Sequence, residues 1–440
     1  MNAAAMRMLL RPAPGNAATV IIPSSAFALV TTLVLTVVGG AQAFWTWDDD
    51  DALTYQVLAA VALALLVVPL AALGGAAARL SARRRDERLS ALRLLGVTPA
   101  GVGALTVVES TAIAAGGVIA GILGHLALVP LIGLIPFRGE QLGAASVLLS
   151  PGMIAAVCAG AVLLAGASAA LGLRRVIVSP LGVRMRAQPA RTHWIRGVLA
   201  AAVLAAAFLT AQSIPAIAGV VAVTVVLAAV FAGALAVLNL VGPWALAVFS
   251  RRRLRRAQSP ERLLAARTVL DDPKAAWRQV GGIAMASFMA VFAGTGVSLM
   301  NVMSASDAGP EDLALVTDMR TGLIITLVAS FLMVAASVGV TQASDILDQR
   351  PLHRSLHQLG VPVETVDAAR RSAIMSPLLF TALGSALCAG IVVFPLLGIA
   401  MIVAPASLLT IAAVLAVGIL IVWLSTLVTR PMLRAAFAPA

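Results

Sequence analysis

Runs of about 20 apolar residues recur along this chain of 440 residues, and no other feature constrains its fold so tightly. Wound into a helix, such a run matches the hydrocarbon core of a bilayer, about 30 Å thick. Backbone N–H and C=O groups inside lipid must be satisfied within the segment, so the chain is expected to form membrane-spanning helices. About ten runs can be read, at 19–42, 55–78, 101–126, 150–173, 197–213, 216–249, 281–305, 319–341, 367–393 and 405–428. The short fifth pairs with the long sixth across a turn at Ile214-Pro215. Only 11% of residues are charged, whereas a water-facing surface needs roughly a quarter. The expected fold class is an all-α polytopic membrane protein.

Charge then orients the spans. With a cytoplasmic N-terminus, about 29 of the 31 Lys and Arg fall on the cytoplasmic side, leaving Arg138 and Arg320 outside. The C-terminus is then cytoplasmic too. The outer loops carry acid instead, with Asp48 to Asp51 behind Trp45 and Trp47, and Asp307, Glu311, Asp312 and Asp318 in another. The net charge of +12 is thus read as membrane-orienting. Nucleic acid is not an expected partner, because the arginines are dispersed over several loops without an aromatic reading surface. Ala41-Gln42-Ala43 resembles a signal-peptidase site, but the preceding run is span-length and is expected to stay. Cys158 and Cys388 both fall inside expected spans, as small buried hydrophobes.

A shift of 264 residues lays ERLSALRLLGV (87–97) on PLHRSLHQLGV (351–361) and carries the spans 19–42 and 55–78 onto 283–306 and 319–342. Pro130-Leu-Ile-Gly follows onto Pro395-Leu-Leu-Gly with one residue of slippage. This suggests a four-span repeat over 1–178, a linker with two spans and a basic loop over 179–280, and a second four-span repeat over 281–440. An even number of spans separates matching elements, so the repeats run parallel and the two marked loops, 79–99 and 342–365, face the cytoplasm.

The first of these loops packs Arg83, Arg84, Arg85, Arg88 and Arg93 among Leu89, Leu92 and Leu95, recurring at helical spacing. Gly96 ends the helix and Thr98-Pro99 starts the next. Such a helix can lie in the headgroups as a basic anchor or offer a surface to another protein. The second copy replaces most of the arginines with Asp348, Gln349, His353, His357 and Gln358 but keeps Leu352, Leu356, Leu359 and Gly360. Shape persists where charge does not, which favours a protein groove over lipid.

The stretch RRRDERLSALRLLGVTPAGVGALTVVES resembles the signature loop of the FtsX-like permease family of ABC transporters, of the MacB, FtsX and bacitracin-exporter type. The matching positions are Arg83 to Arg85, Glu87, Leu95-Gly96, Thr98-Pro99 and Glu109, and the four-plus-two-plus-four layout is similar to the bacitracin-exporter type. The resemblance implies coupling helices that dock on a dimer of cytoplasmic ABC ATPases. The residues implied are Arg85, Glu87, Arg88, Leu89, Leu92, Leu95 and Gly96 in the first copy, and Leu352, Leu356, Leu359 and Gly360 in the second. The second copy lacks the arginine run and has Ala373 where the first has Glu109. The family's large extracellular domain is also missing, since the outer loops, at 43–54, 137–149 and 306–318, are short.

No phosphate-cradling loop accompanies Lys274, the only lysine, so ATP and Mg are expected on the partner ATPase and no cofactor on this chain. No catalytic residue is assigned. His353 and His357 could share a helix face, but a third ligand is not evident and no metal site is expected. Within the spans, Glu109 and His125 are the polar candidates, each with a structural reading as well: a helix-end or arginine partner for Glu109, a hydrogen-bonded histidine for His125. Gly117 and Gly121 form a small-xxx-small pair suited to helix packing in lipid. The functional expectation is a permease subunit in the bacterial cell membrane. It would couple ATP hydrolysis by separate subunits to outward movement of an amphiphilic or lipophilic substrate. The alternative is a mechanotransmitter that signals to a partner membrane protein, such as a sensor kinase, without net transport.

Overall fold

The computed structural model describes residues 18–49, 51–83, 99–178, 220–307 and 310–437. They form an all-α polytopic membrane protein, and eight of the described helices are long and apolar enough to cross a bilayer. The helices are α1 (Ala18–Gln42), α2 (Ala52–Arg83), α3 (Pro99–Gly133), the short α4 (Ala144–Val147), α5 (Pro151–Val178), α6 (Val220–Arg255), α7 (Pro260–Asp271), α8 (Pro273–Asp307), α9 (Pro310–Asp348), α10 (Arg350–Gln358), α11 (Val363–Val392), α12 (Phe394–Val403), α13 (Pro405–Val428) and α14 (Arg430–Phe437). A 3₁₀ turn at Ala43–Thr46 follows α1, and a two-stranded antiparallel ribbon, β1 (Pro136–Phe137) with β2 (Glu140–Gln141), follows α3.

The expected fifth span, 197–213, its turn at Ile214-Pro215 and the loop 84–98 lie outside the described residues. Eight of the expected spans coincide with helices long and apolar enough to cross a bilayer, whereas the expected span 150–173 falls in α5, whose described apolar stretch, Pro151–Ala167, is shorter. The outer loop expected at 306–318 is almost entirely helix, since α8 runs to Asp307 and α9 begins at Pro310. Pro310 opens α9, a first-turn position where its preset φ fits and its missing N–H has no helical partner to lose. Pro130 and Pro395, aligned by the repeat, also differ: Pro130 lies inside α3, whereas Pro395 opens the separate helix α12.

The chain divides into two compact units, Met1–Ala187 with Ala336–Arg354 and Ala435–Ala440, and Gln188–Ala335 with Ser355–Arg434. In the first, α1 packs most extensively on α3, and α5 on α3 and α2. Hydrogen bonds from Ser24 to the Ile113 carbonyl (3.3 Å) and from Thr32 to the Gly121 carbonyl (3.0 Å) keep one offset of 89 residues along the α1–α3 seam, so the two helices run parallel. Phe27, Leu35 and Leu73 are fully buried here.

In the second unit α8 packs most extensively on α11, the pair that the 264-residue shift sets beside α1 and α3. The core holds Ile283, Phe288, Leu327, Phe331 and Leu378. The central helix α6 packs on α7 and α8, where Gly242 gives the Trp277 ring room and the indole Nε1 donates to Asn239 Oδ1 at 2.9 Å.

Candidate functional site: the α10 elbow and its clamp

Helix α10 is short because its sequence stops it. Gly360, at φ 78°, sits where an L side chain would be strained, and its N–H donates to the His357 carbonyl at 2.9 Å. The Val361 N–H donates to the Leu356 carbonyl at 3.0 Å, completing a Schellman closure. Pro362 follows in extended conformation as the N-cap of α11 and redirects the chain into the membrane. On this elbow Leu352 and Leu359 are 53% and 78% exposed, and Leu356 is half-buried. Leucines thus face outward on a helix too short and polar to span a membrane. The first-copy residues Arg85, Glu87, Arg88, Leu89, Leu92, Leu95 and Gly96 lie outside the described residues.

Seven residues past Gly360 is a cluster that the sequence reading missed. Asp367 is 3% exposed in the second turn of α11. Its Oδ1 accepts from Arg370 Nη2 at 3.0 Å. Its Oδ2 forms ion pairs with Arg371 Nε and Arg430 Nε, both at 3.3 Å, without hydrogen-bond alignment. Arg370 reaches onward, Nη1 donating to Thr429 Oγ1 at 2.7 Å and Nη2 to the Thr426 carbonyl at 3.3 Å. One buried carboxylate therefore ties the base of α11 to the end of α13 and the start of α14. The signal was present as Asp-x-x-Arg-Arg at i, i+3, i+4. Arg430 is 63 positions away, and nothing local marks it.

The other candidates are dispersed. Glu109 is half-buried on α3, and His125 is fully buried on the same helix, 16 positions on, about 24 Å along the axis. His125 Nδ1 lies 3.3 Å from Thr36 Oγ1, on the α1–α3 seam. Gly117 and Gly121 lie on that seam too: a Cβ at Gly117 would stand 2.5 Å from the Ser24 carbonyl oxygen, and one at Gly121 2.6 Å from Thr31 Cβ.

At the other end of this unit, Phe44, Trp47, Tyr55 and Phe137 form an aromatic cluster. The Arg138 guanidinium lies 4.2 Å from the Trp47 ring centroid and 4.5 Å from that of Tyr55, and pairs with Asp49. The hydrogen bond to Arg138 holds the Asp49 carboxyl below its usual 3.8, and the same bond raises Arg138. The cluster staples the 43–51 loop to the β1–β2 ribbon.

The Gly360 elbow leads into α11, and the Asp367 cluster ties the base of that span to α13 and α14. No family model matches the chain, and no curated protein matches it.

Proposed function

We propose that this multi-pass membrane protein is the permease subunit of an ABC transporter of the FtsX-like type, seated in the bacterial cell membrane on a dimer of separate ATPase subunits. The observation that carries the reading is the α10 elbow, on which Leu352 and Leu359 are exposed beside the closed turn at Gly360. Exposed leucines at helical spacing suit a groove on a protein, where burying each contributes about 1.5–3 kcal/mol. Nucleotide-driven closure of the ATPases moves α10 and, through Asp367, swings α11 together with α13 and α14. The cargo on this reading is an amphiphilic or lipophilic molecule moved outward from the bilayer, with ATP and Mg held by the partner.

The test is substitution of Leu352 and Leu359 by Asp in the full chain. The expected result is normal membrane insertion with loss of a co-purifying nucleotide-binding subunit and of ATP hydrolysis by the purified assembly. Full ATP hydrolysis in the double variant overturns the coupling role of α10.

A further inference from the structure

In the second unit a cleft of about 60 Å³ opens between α8, α9 and α13. Its lining is sorted along all three helices. On α9 the order is Thr317, Arg320, then Leu323, Ile324 and Leu327. On α13 Thr410 precedes Val414, and on the oppositely directed α8 Ser298 shares the level of the hydroxyls while Gly294 lies one turn deeper. The cleft thus has a polar mouth and an apolar floor, with Leu327 about 10 Å below Arg320.

Arg320 is the cation of the mouth. Its Nη2 donates to Thr410 Oγ1 at 3.2 Å, and among the described residues no carboxylate pairs with it. The candidate span Leu313–Ile346 would be about 51 Å long as a helix, some 20 Å longer than a hydrocarbon core. Two turns from its start, Arg320 therefore lies near the headgroup boundary, at the end of α9 opposite the α10 elbow. Arg320 is exposed there, so its guanidinium is open to an anionic group at that boundary. Its donors are planar and forked, the geometry that phosphate and carboxylate oxygens match.

Gly294 lets the Ile411 side chain pack at the floor, because a Cβ there would collide with it. The cleft has room for one small anionic group and not for a whole amphiphile. The tail has a place outside it, along Leu409 and Val417 of α13, which are 70% and 53% exposed. The 264-residue shift sets Gln56 at the position of Arg320 and Val34 at that of Ser298, so the first repeat has no such mouth.

We infer that the α8–α9–α13 cleft binds the anionic head of a single-headed or lipid-like amphiphile, a phosphate ester or a free carboxylate, on Arg320, with the hydroxyls of Thr317 and Thr410 beside it. As a statement about binding this stands alone. As the identity of the cargo, an anionic amphiphile, it rests on the permease reading.

The experiment uses the full chain in phosphatidylcholine nanodiscs. Cys158 and Cys388 are replaced by Ala, and Leu409→Cys carries an environment-sensitive fluorophore beside the mouth. Dodecyl phosphate is titrated, with dodecyltrimethylammonium and inorganic phosphate as separate arms. A saturable response to dodecyl phosphate is expected, weakened about tenfold by Arg320→Gln, the scale of one charge-assisted hydrogen bond, and largely kept by Arg320→Lys. Gly294→Leu, which forces Ile411 out of its place in the floor while leaving Arg320 unchanged, is expected to remove it. An unchanged titration in Arg320→Gln, or equal saturation by the trimethylammonium compound, overturns the site. Saturation by inorganic phosphate alone overturns its amphiphile character. ATPase association, read on the same preparations, separates the two readings. Binding without an ATPase leaves the cleft and removes the transport role, and an ATPase without binding removes only the cleft.

Discussion

Asp367, buried at the base of α11, pairs with three arginines. Removing one partner of a buried ionic cluster leaves the others uncompensated, which costs about 3–5 kcal/mol. Asp367→Asn keeps the shape and removes the charge that offsets Arg370, Arg371 and Arg430. We expect a loss of about 3 kcal/mol in reversible unfolding from mixed micelles. Adding Arg371→Gln should restore part of it, because the two changes act on one network and do not add. Additive losses would show that the clamp is not a network. Glycine on the α1–α3 seam makes an opposite demand, since space is what matters there. Gly121→Ala puts a methyl group against Thr31 and the Ala28 carbonyl. The expected cost is about 1–3 kcal/mol, from overpacking. Gly116, one position from Gly117, meets nothing within 4 Å, and Gly116→Ala should be neutral in the same assay. The sequence pattern identified Gly117 and Gly121 as a packing pair through their spacing, yet could not name α1 as what they pack on.

Elements are joined in this protein by short, chemically distinct devices. The Arg138 staple is one, and its pH dependence follows from the sign of its shift. The Asp49 carboxyl titrates below 3.8 in the folded chain, so its contribution is present above that value and lost as pH falls through the lowered one. Trp47 emission should be constant through neutral pH and change only in strong acid. Arg138→Gln should remove the acid transition, and Trp47→Phe identifies the reporting ring among the six tryptophans. A transition unaffected by Arg138→Gln would assign the acid sensitivity elsewhere. The elbow at Gly360 is another device. Gly360→Ala places a Cβ at φ 78°, at a cost of about 1 kcal/mol, and should loosen the Schellman closure. Hydrogen exchange at Val361 is the direct measure: faster exchange is expected, and an unchanged rate means the turn tolerates the side chain. The Leu-Gly ending of this helix was legible from the amino acids alone. The Asp367 clamp behind it was only half legible, because Asp-x-x-Arg-Arg is local while Arg430 arrives from another helix.

For the whole molecule, orientation is the first property to check. The cation distribution predicts Arg138 and Arg320 outside and the α10 elbow inside. In a chain lacking Cys158 and Cys388, single cysteines at 138 and 320 should react with an impermeant maleimide in intact cells, and one at 359 only after permeabilisation. Labelling of position 359 from outside would invert the topology and remove the proposed ATPase contact with it. The spans and their approximate number follow from the amino-acid sequence by itself, because hydropathy over 20 residues is a local sum that the bilayer reads segment by segment. Which helices pair, that α6 packs with α7 and α8, that Asp367 meets Arg430, and that Arg320 tops an apolar cleft were decided only by tertiary structure. Inside lipid almost every residue is apolar, so hydrophobicity no longer distinguishes one helix face from another. Partners are then chosen by small-residue spacing and a few polar contacts between positions tens of residues apart, which no local window contains.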